Sequence, residues 1–222
     1  MTLPRVVFWF GAAFFGAMLL WRYAARLQSL PCPPALGWLL ELGLRERLAP
    51  TPLILEHMGV RPGMKVLEVG PGVGYMTVPV ARRLGEEGCL VAIELQPEMA
   101  RRTRERIAAA GVENVDVREG DVATAVLEPG AYDLAFLVTV LGEIPNRDLA
   151  VAQVQDALKP GGILSFTEVL GDPHYQRRAD LHQRCVAAGL EPAGYWSSGL
   201  SYTANFRCPR PTVAAGNGAA QP

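Results

Sequence analysis

Val66-Leu67-Glu68-Val69-Gly70-Pro71-Gly72-Val73-Gly74-Tyr75 is the stretch that decides how this chain is read. An apolar run of strand type enters a glycine-rich turn, and the turn opens a helix. Glycine takes backbone conformations that a Cβ forbids and lets the chain come close to a ligand. The helix N-terminus beyond the turn offers free N–H groups and a partial positive charge, which suit a carboxylate or a phosphate. The spacing discriminates between ligands. Dinucleotide binders carry G-x-G-x-x-G, whereas this loop is G-x-G-x-G, with Glu68 two positions before the first glycine. A carboxylate there sits badly beside a pyrophosphate. It suits the ammonium of a ligand that bears an amino acid.

Outward from the loop, strand-like and helix-like stretches alternate, which means a mostly parallel sheet covered on both faces. The pattern predicts strands over Lys65–Val69, Cys89–Leu95, Val115–Arg118, Leu134–Val140 and Ile163–Val169. Helices are expected over Tyr75–Leu84, Pro97–Ala110, Arg147–Leu158 and His174–Ala188. Thr51 is expected to cap an earlier helix, with Pro52 at its first position and Leu53, Ile54 and Met58 on one face. Two last runs, Glu191–Ser198 and Ser201–Cys208, lie too close together for a helical crossover and read as an antiparallel hairpin.

Two acids follow the loop at telling places. Glu94 ends the second strand, twenty residues past Gly74, where a carboxylate can accept both hydroxyls of a ribose at the carboxyl edge of the sheet. Gly120-Asp121-Val122 closes the third strand, where Asp121 can accept an exocyclic amine of adenine and the Val122 backbone can meet the ring.

These residues resemble the class I S-adenosylmethionine-dependent methyltransferases, over about Thr51 to Pro209. The likeness rests on the E-x-G-x-G-x-G loop and the acid ending strand two. It rests also on the Gly-Asp after strand three, the Leu158-Lys159-Pro160-Gly161-Gly162 turn and the final hairpin. The resemblance implies an α/β, doubly wound, seven-stranded sheet with an antiparallel last strand, and S-adenosyl-L-methionine as cofactor. It implies that Glu68 and the loop (Gly70, Pro71, Gly72, Gly74) hold the methionine part. Glu94 with Leu95 would hold the ribose, and Asp121 with Val122 the adenine. Methyltransferases of planar amino groups often carry [ND]-P-P-[YFW] after strand four. Here that place reads Thr139-Val140-Leu141-Gly142-Glu143-Ile144-Pro145-Asn146, which argues against adenine or glutamine side-chain methylation. The other classes in play are a non-catalytic binder of S-adenosylmethionine or a nucleotide, which the intact loop and acids disfavour, and a nicotinamide-dependent oxidoreductase, which Glu68 and the glycine spacing disfavour. No catalytic residue is assigned by sequence. Glu143, Glu168, His174 and Tyr175 are the groups near the ends of strands four and five that can exchange a proton.

The N-terminus carries a separate signal. Val6–Trp21 (VVFWFGAAFFGAMLLW) holds no charge, with Arg5 before it and Arg22 and Arg26 after it. As a helix it spans roughly 24 Å, which flanking residues can extend toward the ~30 Å hydrocarbon core. Trp9 and Trp21 fall near its two ends, where amphipathic aromatics favour the interface. A cleaved signal peptide would want a shorter run and an A-x-A-like site, and a buried helix would show a polar face. A membrane anchor over residues 1–30 is therefore the leading reading, followed by a linker and short helix (31–50), the methyltransferase domain (51–209) and a small, polar, disordered tail (210–222). The arginines after the segment, and a cofactor made in the cytosol, orient the domain toward the cytoplasm. A methyl acceptor that is a small molecule or lipid-like fits that location.

Composition narrows the rest. Among 222 residues, 21 Lys+Arg balance 22 Asp+Glu, which leaves no basic excess for nucleic acid. Arg101, Arg102, Arg104 and Arg106 read as the wet side of a helix. Cys32, Cys89, Cys185 and Cys208 are scattered without metal-ligand spacing, so no metal site is expected and free thiols are.

Overall fold

The structure is a computed structural model, and residues 44–210 of it are described. They comprise α1 (Leu44–Leu48), α2 (Thr51–Met58), β1 (Lys65–Val69), α3 (Thr77–Leu84), β2 (Cys89–Glu94), α4 (Pro97–Ala110) and β3 (Val115–Glu119). Then come β4 (Tyr132–Val138), a 3-10 turn (Leu141–Glu143), α5 (Arg147–Ala157), β5 (Leu158–Val169), α6 (Arg178–Ala187), β6 (Glu191–Ser198) and β7 (Ser201–Arg207). No helix among the described residues is long and apolar enough to cross a membrane. The expected anchor over Val6–Trp21 lies outside the described residues, as do the Pro-rich linker and the tail beyond Arg210.

All seven strands form one sheet in the order β3-β2-β1-β4-β5-β7-β6. The pairings from β3 through β5 are parallel, and β7 runs antiparallel to both β5 and β6. The expected seven-stranded, mostly parallel sheet with its antiparallel last strand is what forms. Central strands are apolar on both sides because helices cover both faces. In β4, Leu134, Phe136 and Val138 enter the layer beneath α2 and α3, whereas Ala135 and Leu137 enter the layer beneath α5 and α6. Burial of a side chain of this size is worth about 1.5–3 kcal/mol.

β4 lies two residues earlier than the expected Leu134–Val140, and several other ends shift by one residue; three other differences each have a local reason. α3 begins at Thr77 rather than Tyr75, because Gly74 N–H donates to the Pro71 carbonyl at 2.9 Å and keeps the loop in a turn. β5 begins at Leu158, through the proline and glycines. Gly161 N–H donates to the Cys208 carbonyl at 2.9 Å and Cys208 N–H to the Gly162 carbonyl at 2.8 Å, so the ladder overrides the turn signal. α6 begins at Arg178 rather than His174, since the Asp172 carboxylate accepts His174 N–H at 2.7 Å and folds the intervening residues into a loop. Thr51 does not cap α2. Pro50 occupies the cap position, and the Thr51 hydroxyl donates to Glu46 Oε2 at 2.7 Å.

The strand order reverses between β1 and β4. In open α/β sheets the crevice outside the carboxyl ends at such a reversal is where ligands bind.

Candidate cofactor and acceptor site

The loop after β1 stands on that crevice. Gly70, Gly72 and Gly74 have φ of 69°, 60° and 76°, the left-handed region that glycine alone enters freely. A Cβ on Gly70 would stand 2.7 Å from the Val140 side chain, so the loop is packed directly against the residues after β4. A Cβ on Gly72 would meet nothing within 4 Å, so that glycine fronts open space. Helix α4 holds the loop from behind. The Thr103 hydroxyl donates to the Gly72 carbonyl at 2.7 Å, and Arg106 Nη1 donates to the Val73 carbonyl at 3.2 Å. The arginine cluster is thus divided. Arg101 and Arg104 are exposed and ion-paired to Glu98, Glu105 and Glu119, as a wet face should be, while Arg106 supports the loop.

Glu94 lies across the loop from its glycines and is 5% exposed. Its Oε2 accepts Gly72 N–H at 3.0 Å and its Oε1 accepts Gln96 N–H at 2.9 Å. Burial pushes its carboxyl above the ordinary value, and the N–H groups of Gln96, Gly72 and Leu95 counter that shift. Glu68 is buried as well, where it accepts the Thr77 hydroxyl at 2.7 Å and ties the end of β1 to the first turn of α3. Pro71 is buried within the loop, and Leu95 is exposed just beyond Glu94. Gly120 N–H donates to the Glu94 carbonyl at 2.9 Å, which brings the β3 end alongside. There Asp121 Oδ1 accepts Ala123 N–H at 2.9 Å, and Val122 is buried. The loop, Glu94 and Asp121-Val122 therefore line one continuous edge, in the order the sequence suggested.

The ends of β4 and β5 form the neighbouring part of the edge. Thr139 has φ 57°, an outlier for a β-branched residue. Its N–H donates to the Thr167 carbonyl at 2.8 Å, and the twist directs Val140 against Gly70. Strain of this kind gathers at functional edges, and no periodicity in the sequence announces it. Glu168, 2% exposed, accepts Gln176 N–H at 3.1 Å. It stands opposite Tyr202 in the β5–β7 ladder, and the Tyr202 hydroxyl donates to the Gln176 carbonyl at 2.7 Å. Tyr175 meets Tyr202 edge-on at 5.9 Å. Gly142, in the turn before α5, is pressed against the His174 carbonyl and lies 2.6 Å, measured from an added Cβ, from the His174 side chain. Glu143, Glu168, His174 and Tyr175, four separate candidates in the sequence, thus gather around one loop. Burial, together with the charges of Asp172 and Glu143, pushes the Glu168 carboxyl up to about 8.

The family model for protein-L-isoaspartate(D-aspartate) O-methyltransferase matches residues 49–170. The chain belongs to that family. It is a class I S-adenosylmethionine-dependent methyltransferase by family and fold. Among curated relatives, the protein-L-isoaspartate O-methyltransferase of Ignicoccus hospitalis is 37% identical over 123 residues, 55% of this chain and 55% of that protein. The ubiquinone/menaquinone biosynthesis C-methyltransferase of Shewanella pealeana is 31% identical over 121 residues, 54% of this chain and 48% of that one. The chain spans about half the length of the curated relatives it matches. A crystal structure of a SAM-dependent methyltransferase from Aquifex aeolicus superposes with a TM-score of 0.75 at 20% identity, covering 80% of this chain and all of that one.

S-adenosylmethionine is the cofactor of this methyltransferase family, and the residues present fit it. Gly72 leaves open space in front of the loop, and a buried carboxylate stands at the end of β2, as ribose recognition requires. A dinucleotide fits poorly, since Gly72 N–H is turned to the Glu94 carboxylate and is not free for a pyrophosphate.

The buried Glu168 has a measurable signature. Its folded-state value, about 8, lies above the ordinary 4.5, so between those limits the folded chain keeps a proton that the unfolded chain has lost. Stability therefore falls as pH rises through that window and does not return above it. Glu168→Gln keeps an oxygen for Gln176 N–H and has nothing to ionise. At about 1.4 kcal/mol for each pH unit, the variant is expected to be more stable at pH 7 by on the order of 3–3.5 kcal/mol. The difference should vanish near pH 4 in urea titrations. A gap independent of pH would show that Glu168 does not titrate in this way.

Proposed function

We propose that the chain methylates an uncharged, lipophilic acceptor, such as a ring hydroxyl or the electron-rich carbon beside one, and that it does so while anchored to a membrane by Val6–Trp21 with the domain on the cytoplasmic side. The observation that carries the choice of acceptor is the charge around its approach. The charges of Glu143 and Asp172 reach Glu168 at the ends of β4 and β5. A carboxylate acceptor would enter among those acids, where like charge and burial both oppose it. Arg147, a cation whose charge reaches Glu168, donates to the Gly142 carbonyl at 2.8 Å. A phenol or enol carries no such penalty and needs only a proton acceptor. The name of the Shewanella relative denotes an acceptor of this type. The name of the Ignicoccus relative denotes a protein carboxylate, and that is the second reading.

S-adenosylmethionine supplies a methyl already activated on a sulfonium, so what the chain contributes is alignment and the exclusion of water, worth roughly 7–11 kcal/mol. In this proposal the backbone of Gly70, Pro71, Gly72 and Gly74 frames the methionine part, with Glu68 bracing the loop. Glu94, with Leu95, takes the ribose hydroxyls, and Asp121 with Val122 takes the adenine. Glu168 stays protonated at neutral pH and holds the loop over the acceptor. Glu143, partly exposed at the end of the 3-10 turn, is the group that takes a proton from the acceptor.

Two measurements test the proposal. S-adenosylhomocysteine at about 100 times its dissociation constant should stabilise the protein by roughly 2.7 kcal/mol, and NAD should not. A labelled methyl donor, offered a membrane lipid extract and an isoaspartyl peptide in parallel, should label the lipid fraction. Labelling of the peptide alone would establish the second reading, and stabilisation by NAD alone would overturn the methyltransferase assignment of the site.

A further inference from the structure

We infer that the edge of the domain made by Leu170 and Leu200 rests on a lipid bilayer, so that the acceptor side of the sheet opens toward the membrane surface. The inference rests on the membrane-anchored methyltransferase reading above and adds to it the face that meets the lipid.

Leu170 and Leu200 are 47% and 50% exposed, and they are held side by side by a 2.7 Å hydrogen bond from Leu170 N–H to the Leu200 carbonyl. Leu170 follows the carboxyl end of β5, and Leu200 sits in the turn of the β6–β7 hairpin, which reaches the same edge because Val169 pairs with Ser201. The next pair along, Glu168 and Tyr202, belongs to the acceptor side of the site. Exposed leucines held side by side at one rim are the side chains that favour the acyl zone of a bilayer.

The path of the chain selects the bilayer over other occupants. The Ser201 hydroxyl donates to the Leu48 carbonyl at 2.7 Å, so α1 is fastened at this rim. Glu46 of α1 accepts hydrogen bonds from the Tyr75 hydroxyl and from Thr51 N–H, which fastens it to the glycine loop as well. The chain that leads to Val6–Trp21 therefore departs from the same edge. Residues 22–43 lie between, and even fully extended at about 3.3–3.6 Å each they reach roughly 70–80 Å. A domain tethered at its apolar rim meets the bilayer with that rim at high effective concentration, and a lipophilic acceptor then need not cross water to reach Glu143 and Glu168.

The test uses the full chain in phosphatidylcholine vesicles brominated on the acyl chains near the headgroup, with Trp9→Phe, Trp21→Phe, Trp38→Phe and Trp196→Phe, and with Leu200→Trp as the reporter at the rim. Emission of the Leu200→Trp chain should be quenched in these vesicles relative to unbrominated ones. Adding Leu170→Glu should reduce that quenching by about half or more, because charge at the apolar boundary opposes insertion. S-adenosylhomocysteine binding, measured on the same samples, should be unchanged. A chain that floats with vesicles yet shows no quenching overturns the docking rim while leaving the anchor in place. A chain that does not float overturns both. A dimer that Leu170→Glu abolishes, without quenching, assigns the rim to a second copy instead. Loss of cofactor binding in the parent chain would speak against the methyltransferase reading and not against the rim.

Discussion

Glu94→Ala is expected to weaken S-adenosylhomocysteine binding by at least about 100-fold, the equivalent of roughly 3–6 kcal/mol for two charge-assisted hydrogen bonds to ribose. Two losses add. The carboxylate would no longer meet the ribose hydroxyls, and the loop would lose the contacts that shape it, since Glu94 accepts Gly72 N–H and Gln96 N–H. Glu94→Gln separates the two. Its amide oxygen can still take one N–H, so the loop should keep most of its shape while the charge toward ribose is gone, and an intermediate affinity should result. Calorimetry at constant pH reads both variants. An Ala variant that folds and binds as the parent does would remove Glu94 from the site.

Gly142→Ala is expected to lower the stability of the domain by about 3–5 kcal/mol, the range of severe overpacking and lost buried contacts. The added methyl would press into the His174 carbonyl and come within 2.6 Å of Gln176 Nε2. A carbonyl in the backbone cannot rotate aside as a flexible side chain can. The segment between Asp172 and Arg178 must lift, and with it goes the hydrogen bond from Gln176 N–H to Glu168. Equilibrium urea unfolding measures the loss. The same variant should lose turnover before it loses cofactor affinity, because the glycine loop and Glu94 lie on the other side of the strand reversal. A variant with the parent's midpoint would mean that the contact across Gly142 is slack.

The parts of the fold that were plain in the sequence are those in which one local signal meets no competitor. Lys65–Val69 is read to the residue because its apolar run is closed by Gly70 on one side and Pro62-Gly63 on the other. The hairpin follows from chain length alone, since two residues cannot make a crossover. The boundaries misjudged are those set by contacts distant in sequence. Pro160-Gly161-Gly162 looks like a turn until Cys208 pairs with it, and His174 looks helical until Asp172 captures its N–H. In the site, residue type and place sufficed for Glu94, because an acid at the end of a buried strand has few other uses. They did not suffice for Thr139, whose positive φ is imposed by packing, or for Arg106, whose fellow arginines Arg101 and Arg104 on α4 face water. The meeting of Glu46 with Tyr75 was also unreadable, since 29 residues separate them and neither stands in a recognisable pattern.

The antiparallel last strand sets the order in which the molecule can be finished. β5 receives its second neighbour only from β7, so during synthesis it waits with one row of N–H and C=O groups unmatched. At about 5–20 residues per second the ribosome takes roughly 2–8 s to deliver the stretch from Leu170 to Arg207. Throughout that interval Leu164 and Phe166, fully covered in the finished domain, border an open edge that another nascent chain can join. The hairpin shortens the hazard. β6 and β7 zip locally within microseconds and can dock as a preformed pair. The quality of the Ser198-Gly199-Leu200 turn should therefore govern the yield of folded protein more than its final stability.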